Sequence, residues 1–282
     1  MRIAVTGAAG HFGGHVVDHL LSRGVAANDI VAIVRNEAKA ADLAAKGVTV
    51  GVAAYEDEAA LTAALQGVER LVLVSGSEVG QRLTQHTNII NAAKAAGVKF
   101  IAYTSLLNAP TSELGLAPEH VATEQLLAES GIEYALLRNG WYWENYASAI
   151  DTGKAMGKFF GAAGDAKVSG AARRDYAEAA AVVVTGEDQA GKVYELAGAP
   201  ALSYQGIADE VAKVIGTPVT YVNQTVEEYT AALEAAGLPA EVAAMFAGMD
   251  PIIEQGALYS ESTDLQDLLG RPSTSASETF SA

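Results

Sequence analysis

The sequence predicts an α/β fold: a doubly wound parallel sheet with a smaller, mostly helical C-terminal lobe. Three observations predict it. Short apolar runs alternate with segments of helical period as far as residue 138. One of them, Leu71-Val72-Leu73-Val74, is apolar at every position, as a strand covered by helices on both faces must be. The first, Ile3-Ala4-Val5, leads into a glycine turn, Gly7-Ala8-Ala9-Gly10-His11-Phe12-Gly13. After that turn Val16-Val17 and Leu20-Leu21 recur at helical spacing. With 282 residues and 50% hydrophobic content, the chain can bury one large core or two fused ones.

The elements follow in order. Ile30 to Arg35 is the second strand, and Glu37 to Lys46 an alanine-rich helix that Gly47 ends. Val48 to Val52 is the third strand, with a helix from Asp57 through Leu65 before Gly67. Leu71 to Ser75 is the fourth, followed by a long helix from Gln81 to Ala96. Val98 to Ser105 is the fifth, a helix spans Pro118 to Glu129, and Ile132 to Arg138 is the sixth. Beyond it, Asn139 to Tyr146 gathers both tryptophans and two tyrosines, and a glycine-rich, irregular passage runs from Gly153 to Gly170. Helices are expected at Tyr176–Val184, Tyr204–Val214, Val226–Ala235 and Ala240–Phe246, and strands at Lys192–Leu196 and Val219–Val222. The expected organisation is a dinucleotide-binding domain over 1–150, to which later segments return, and a lobe over 151–271 that closes on the sheet. Residues 272–282, rich in Ser and Thr, are expected to form a weakly ordered tail.

Composition narrows the chemistry. There is no cysteine, so disulfides, thiolate ligands and a cysteine nucleophile are excluded. The formal net charge of −16, with no basic run against it, argues against nucleic acid and anionic membranes as partners. No apolar run approaches the roughly 20 residues of a membrane span, and no charged-then-apolar leader precedes the first strand, so membrane insertion is not expected and a cytoplasmic protein is. His11, His15 and His19 recur every four residues on the first helix. Without an HExxH pattern or companion carboxylates they read as helix histidines, and no metal site is assigned.

The glycine turn suits a pyrophosphate. Its spacing, Gly7, Gly10 and Gly13, permits a tight turn, close backbone approach and helix-on-strand packing, while the helix start offers N–H groups to an anion. Arg35 stands about twenty residues on, where an acidic side chain would take the ribose 2′-hydroxyl of NAD. A guanidinium there favours a 2′-phosphate, with Lys39 adding charge, so NADP(H) is the expected cofactor. Ser75-Gly76-Ser77 and Thr104-Ser105 end two strands with small polar residues where the cofactor's riboses would lie. Arg173 and Arg174 read either as a reach from the second lobe to the cofactor or as a solvated pair.

None of the eleven tyrosines has a lysine four residues on, so the YxxxK acid–base pair of short-chain dehydrogenases is missing. On the helix that would carry it stand His120 and Glu124, four apart, which read either as an imidazole tuned by a carboxylate and able to donate a proton, or as an exposed pair.

MRIAVTGAAGHFG, VAIVRNEAKA, SEVGQRLTQHTNIINAAKAAGVKFIAYTSLLNA and EHVATEQLLAESGIEYALLRNGWYWENY closely resemble the bacterial NAD(P)H:quinone oxidoreductases of the NmrA-like, atypical short-chain dehydrogenase family. The resemblance continues through FFGAAGDAKVSGAARRDYAEAAA and GKVYELAG, and triphenylmethane dye reductases share its general pattern. It implies a Rossmann-type domain, NADPH as hydride donor, and a quinone as acceptor without flavin. By position it makes Gly7 to Phe12 the pyrophosphate loop, Arg35 the 2′-phosphate partner, and Ser75, Gly76 and Ser77 part of the ribose wall. Asn139, Gly140, Trp141, Tyr142 and Arg173 become cofactor contacts. Tyr142, Trp143, Asn145 and Tyr146 are then expected to wall the acceptor pocket. Gly76 replaces a serine of those relatives and Trp143 a small polar residue, the latter reshaping that pocket. A dye or other conjugated acceptor, and a non-catalytic dinucleotide sensor, are the alternative functions; a homodimer is compatible with these motifs but not fixed by them.

Overall fold

The computed structural model describes residues 1–282. The first half alternates strand and helix: β1 (Ile3–Val5), α1 (His11–Ser22), β2 (Ile30–Val34), α2 (Ala41–Ala45), β3 (Thr49–Val52), α3 (Glu58–Ala64) and β4 (Arg70–Leu73). It continues with α4 (Arg82–Ala96), β5 (Phe100–Leu106), α5 (Ala117–Ser130) and β6 (Glu133–Asn139). The second half holds α6 (Ser148–Met156), β7 (Lys158–Gly161), β8 (Lys167–Val168), α7 (Arg173–Thr185), β9 (Val193–Leu196), β10 (Leu202–Ser203), α8 (Tyr204–Ile215) and β11 (Thr220–Asn223). Four helices close the chain: α9 (Val226–Ala235), α10 (Ala240–Glu254), α11 (Asp264–Leu269) and α12 (Ala276–Phe280).

Seven strands form one sheet in the order β3-β2-β1-β4-β5-β6-β9, and every pair in it is parallel. Parallel strands need crossovers, and the helices supply them on both faces. On one face Val16, Val17 and Leu20 of α1 and Tyr176, Val183 and Val184 of α7 are buried against the sheet. Ala177, Ala179, Ala180 and Ala181 are fully buried in that layer, and their short side chains bring α7 close to its neighbours. On the other face Leu61 and Leu65, Ile89 and Ile90 of α4, and Leu127 of α5 form the second core. The chain reverses its direction of travel across the sheet between β1 and β4, and a crevice opens there beyond the strands' carboxyl ends.

The smaller lobe has its own core around Trp143, Tyr146, Phe159, Tyr204, Ile207 and Val211. Its helices are joined by two short strand pairs, β7 with β11, which is the strand expected at Val219–Val222, and β8 with β10. The glycine-rich passage is more regular than expected: it contains the end of α6, β7 and β8. Gly170 lies so close to Trp143 that a Cβ there would sit 2.7 Å from the indole ring.

The C-terminal residues are also structured, against the expectation of a loose tail. Asp175 is fully buried, and its carboxylate accepts from the Thr274 N–H at 2.5 Å, the Thr274 hydroxyl at 3.0 Å and the Arg271 guanidinium at 2.9 Å. Ser275 and Glu278 then cap α12 reciprocally. The Ser and Thr residues that suggested disorder are capping and anchoring groups.

Candidate active site

The crevice is a cleft of about 530 Å³, within the range of cofactor pockets. Its floor is the turn between β1 and α1. Gly7 takes φ +59°, a conformation that costs an L side chain strain, and Gly10 donates its N–H back to the Gly7 carbonyl at 2.9 Å. A Cβ on Gly13 would lie 2.4 Å from that same carbonyl, so glycine is required where helix meets strand. No side chain caps α1 and no carboxylate stands in its first turn, which leaves its positive end directed into the cleft.

Around this floor the chain gathers Arg35, Asn36 and Lys39 after β2, Tyr55 and Glu56 after β3, Ser75 to Glu78 after β4, Gln85 on α4 and Arg173 on α7. Gly7, Ala9, Gly10, His11, Phe12, Gly13, Arg35, Ser75, Gly76, Ser77 and Arg173, all expected cofactor contacts, are thus brought together around one cleft. The Arg173 guanidinium lies over the Tyr142 ring, 5.0 Å from its centroid, and Tyr142 stacks on Phe12 at 6.3 Å. Glu144 accepts from the Arg173 backbone N–H and fixes the start of α7.

Other expected contacts have different places. Ala8 is buried beneath the turn, its N–H bonded to the Ile33 carbonyl. Thr104 is buried and accepts the Ser75 N–H at 2.8 Å, so it positions the cleft wall from behind. Gly140 is a packing glycine: a Cβ would meet the Tyr176 hydroxyl at 2.8 Å and the Leu196 carbonyl at 2.9 Å. Trp141 uses its backbone to hold Ala171 and the Tyr176 hydroxyl. Asn139, at the end of β6, is buried with both side-chain amide atoms unpartnered. Trp143 and Tyr146 are not among the residues lining this cleft; they are 2% and 9% exposed within the small-lobe core, while Tyr142 of the same group is half-buried and Asn145 exposed.

The His120–Glu124 pairing is not made. Glu124 accepts two hydrogen bonds from Arg138, at 2.9 and 2.7 Å, and one from Ser105 at 2.6 Å, while Arg138 also reaches Glu195 at 2.8 Å. His120 instead shares a 2.8 Å hydrogen bond with Tyr103 and is only 5% exposed. Burial, aided by the Arg82 charge, pushes its pKa down to about 3. It is therefore neutral and shielded from solvent, a poor proton donor.

His86 is buried nearby and also lowered to about 3, by burial and then by Arg82. Its Nε2 accepts the Gly76 N–H at 3.0 Å, so its Nδ1–H faces the Thr123 hydroxyl, which donates to the Glu119 carbonyl. Arg82, paired with Glu119, donates to the Gly76 carbonyl at 2.9 Å. Both polar groups of Gly76 are thus held from α4. Because the folded pKa values lie below the unfolded one, stability is full above about pH 6.5 and is lost progressively toward pH 3. At pH 5.5 each histidine is expected to cost about 1.4 kcal/mol relative to pH 7.5. Urea midpoints at the two pH values check this, and His120→Gln should shrink the difference.

No cluster of three or more His, Cys, Asp or Glu side chains is arranged to hold a metal ion, and the three α1 histidines form no such site. Tyr55, Glu56, Glu78 and Gln85 were not singled out by the sequence. Tyr55 donates to the Val74 carbonyl at 2.9 Å and supports the cleft wall; burial raises its phenol to about 12.

A model of the NmrA-like family matches residues 1–274. The chain belongs to the NmrA-like family. Among members of known activity, quinone oxidoreductase 2 of Escherichia coli K12 is 54% identical over 279 residues, covering 99% of this chain and 97% of that one. A crystal structure of the E. coli NADPH-dependent quinone oxidoreductase complexed with NADPH superposes with a TM-score of 0.95 over 99% of both chains. The NADP(H) complex of triphenylmethane reductase from Citrobacter sp. is 36% identical, with a TM-score of 0.94 over 99% of both chains. This NmrA-like chain has no helix long and apolar enough to cross a membrane.

Proposed function

We propose that the chain is a cytoplasmic NADPH-dependent quinone oxidoreductase that passes hydride directly to its acceptor, without flavin. The observation that carries this reading is the cleft itself, which joins an uncapped helix start to Arg35 and Lys39 at one rim. The close match to an NADPH-dependent quinone oxidoreductase supports the same reaction.

The residues present fit the cofactor. The Gly7–Gly13 turn lines the floor beside the uncapped N–H groups of α1, which suit a pyrophosphate, and Arg35 with Lys39 suits a 2′-phosphate. Asn139 has one free donor and one free acceptor, the complement of a carboxamide, at the end of β6. NADPH bound here supplies the hydride. The chain's own work is to seat, orient and keep dry: Tyr142 packs on Phe12 with the Arg173 guanidinium over its ring, and so backs the side of the cleft that Phe12 and Arg173 line, where an acceptor would enter. A quinone needs one further proton, and with His120 neutral and enclosed, water is its source.

NADPH consumption by the purified protein against a panel of quinones and cationic dyes tests the proposal. Turnover with quinones, faster for NADPH than for NADH, is expected. Tight NADPH binding with no turnover on any acceptor would identify a sensor instead.

A further inference from the structure

At the rim of the cleft, the guanidinium proposed to receive the 2′-phosphate already has an anionic partner. Arg35 Nη1 donates to Glu78 Oε1 at 2.8 Å, on the loop between β4 and α4. The second Glu78 oxygen is not free to drift, because Gln85 Nε2 donates to it at 2.8 Å and to Glu56 Oε1 at 2.7 Å. Gln85 is itself buried, and Gly76 makes room for it: a Cβ at position 76 would lie 2.7 Å from the Gln85 carbonyl oxygen. A buried amide on α4 therefore aims a carboxylate at the cofactor-selecting arginine. Both ends of the ion pair remain accessible, with 73% and 46% of their side chains exposed.

From this arrangement we propose that Glu78 is a specificity-determining residue: its carboxylate occupies the 2′-phosphate seat on Arg35 and must be displaced by NADPH but not by NADH. The inference rests on the NADPH reading given above. A phosphate monoester brings more charge and more acceptor oxygens than a carboxylate, so it wins the guanidinium. NADPH must break the Arg35–Glu78 pair to be seated, and that loss subtracts from NADPH affinity alone, because NADH leaves the pair intact. Glu78 thus narrows the preference that Arg35 creates and speeds release of the oxidised, 2′-phosphorylated product. The Gln85 and Arg35 hydrogen bonds hold the Glu78 carboxyl below the ordinary glutamate range, so the competitor is an anion at neutral pH.

Dissociation constants for NADPH and NADH, read from the fluorescence of the bound dinucleotide at fixed ionic strength, test this in the full-length protein. Glu78→Gln is expected to tighten NADPH about 3- to 10-fold and to change NADH by less than about twofold, the scale of a partly screened charge contact. Glu78→Asp keeps the charge but is a methylene too short for Arg35, and should tighten NADPH in the same direction. In an Arg35→Ala background, Glu78→Gln should have no effect. Unchanged or weaker NADPH binding in Glu78→Gln, equal tightening of both dinucleotides, or an effect that survives without Arg35 would each overturn the proposal. A wild-type protein that binds neither dinucleotide would overturn the cofactor reading as well, which separates the two failures.

Discussion

Arg35→Asp is expected to raise the NADPH dissociation constant about 100-fold while leaving NADH within a few-fold of its original value. The expectation follows from position. Arg35 directly follows β2, the neighbour of β1, so its side chain stands at the rim opposite the helix start that seats a pyrophosphate. A charge-assisted pair with phosphate contributes about 1.5–3 kcal/mol, and placing a carboxylate beside Glu78 and Glu56 adds repulsion. About 2.8 kcal/mol corresponds to 100-fold. NADH keeps every other contact, and an aspartate can accept its ribose hydroxyl. Equal losses for both dinucleotides would show that Arg35 supports the loop rather than reading the phosphate.

Arg138→Leu is expected to destabilise the fold by about 3–5 kcal/mol, the cost of leaving a buried charge without its partner. Ser105, Arg138 and Glu195 are register partners across β5, β6 and β9, and Glu124 descends on them from α5. The arginine is the only cation in that group, and Glu124 is 9% exposed. A urea midpoint well below wild type, partly restored by adding Glu124→Gln, is the expected pattern. A variant as stable as wild type would show that the two carboxylates do not need the guanidinium.

This network explains why His120 and Glu124 could be misread. Their spacing on a helix is legible in the sequence, but Arg138 lies on a strand fourteen residues away and Glu195 57 residues beyond it. The side chain that claims Glu124 is a long-range partner, and local spacing says nothing about it. The same limit applied at the C-terminus, where Asp175 organises Thr274 and Arg271 from 99 and 96 residues away. It applied again to α10, which runs through Gly248 and Pro251, residues that locally signal an end.

What local pattern carries, it carried well. The strand–turn–helix at Gly7 to Gly13 is backbone chemistry written in consecutive residues, and the first six strands each follow from an apolar run. Arg35 and Ser75 to Ser77 line the cleft because parallel strands deliver their following loops to one edge, and Arg173 joins them from the start of α7, the helix that leads to β9. Glu78 and Gln85 escaped notice for the opposite reason: a charged residue and an amide near a helix start look like ordinary surface until the crevice is assembled around them.

The most direct test of direct hydride transfer is the rate of quinone reduction by protein whose visible spectrum shows no flavin, with NADPH carrying hydrogen or deuterium at C4 of the nicotinamide. Direct transfer predicts turnover without added flavin, and a primary isotope effect in a single turnover mixed rapidly with quinone. Quinone reduction that requires added flavin, or no reduction at all, would contradict it.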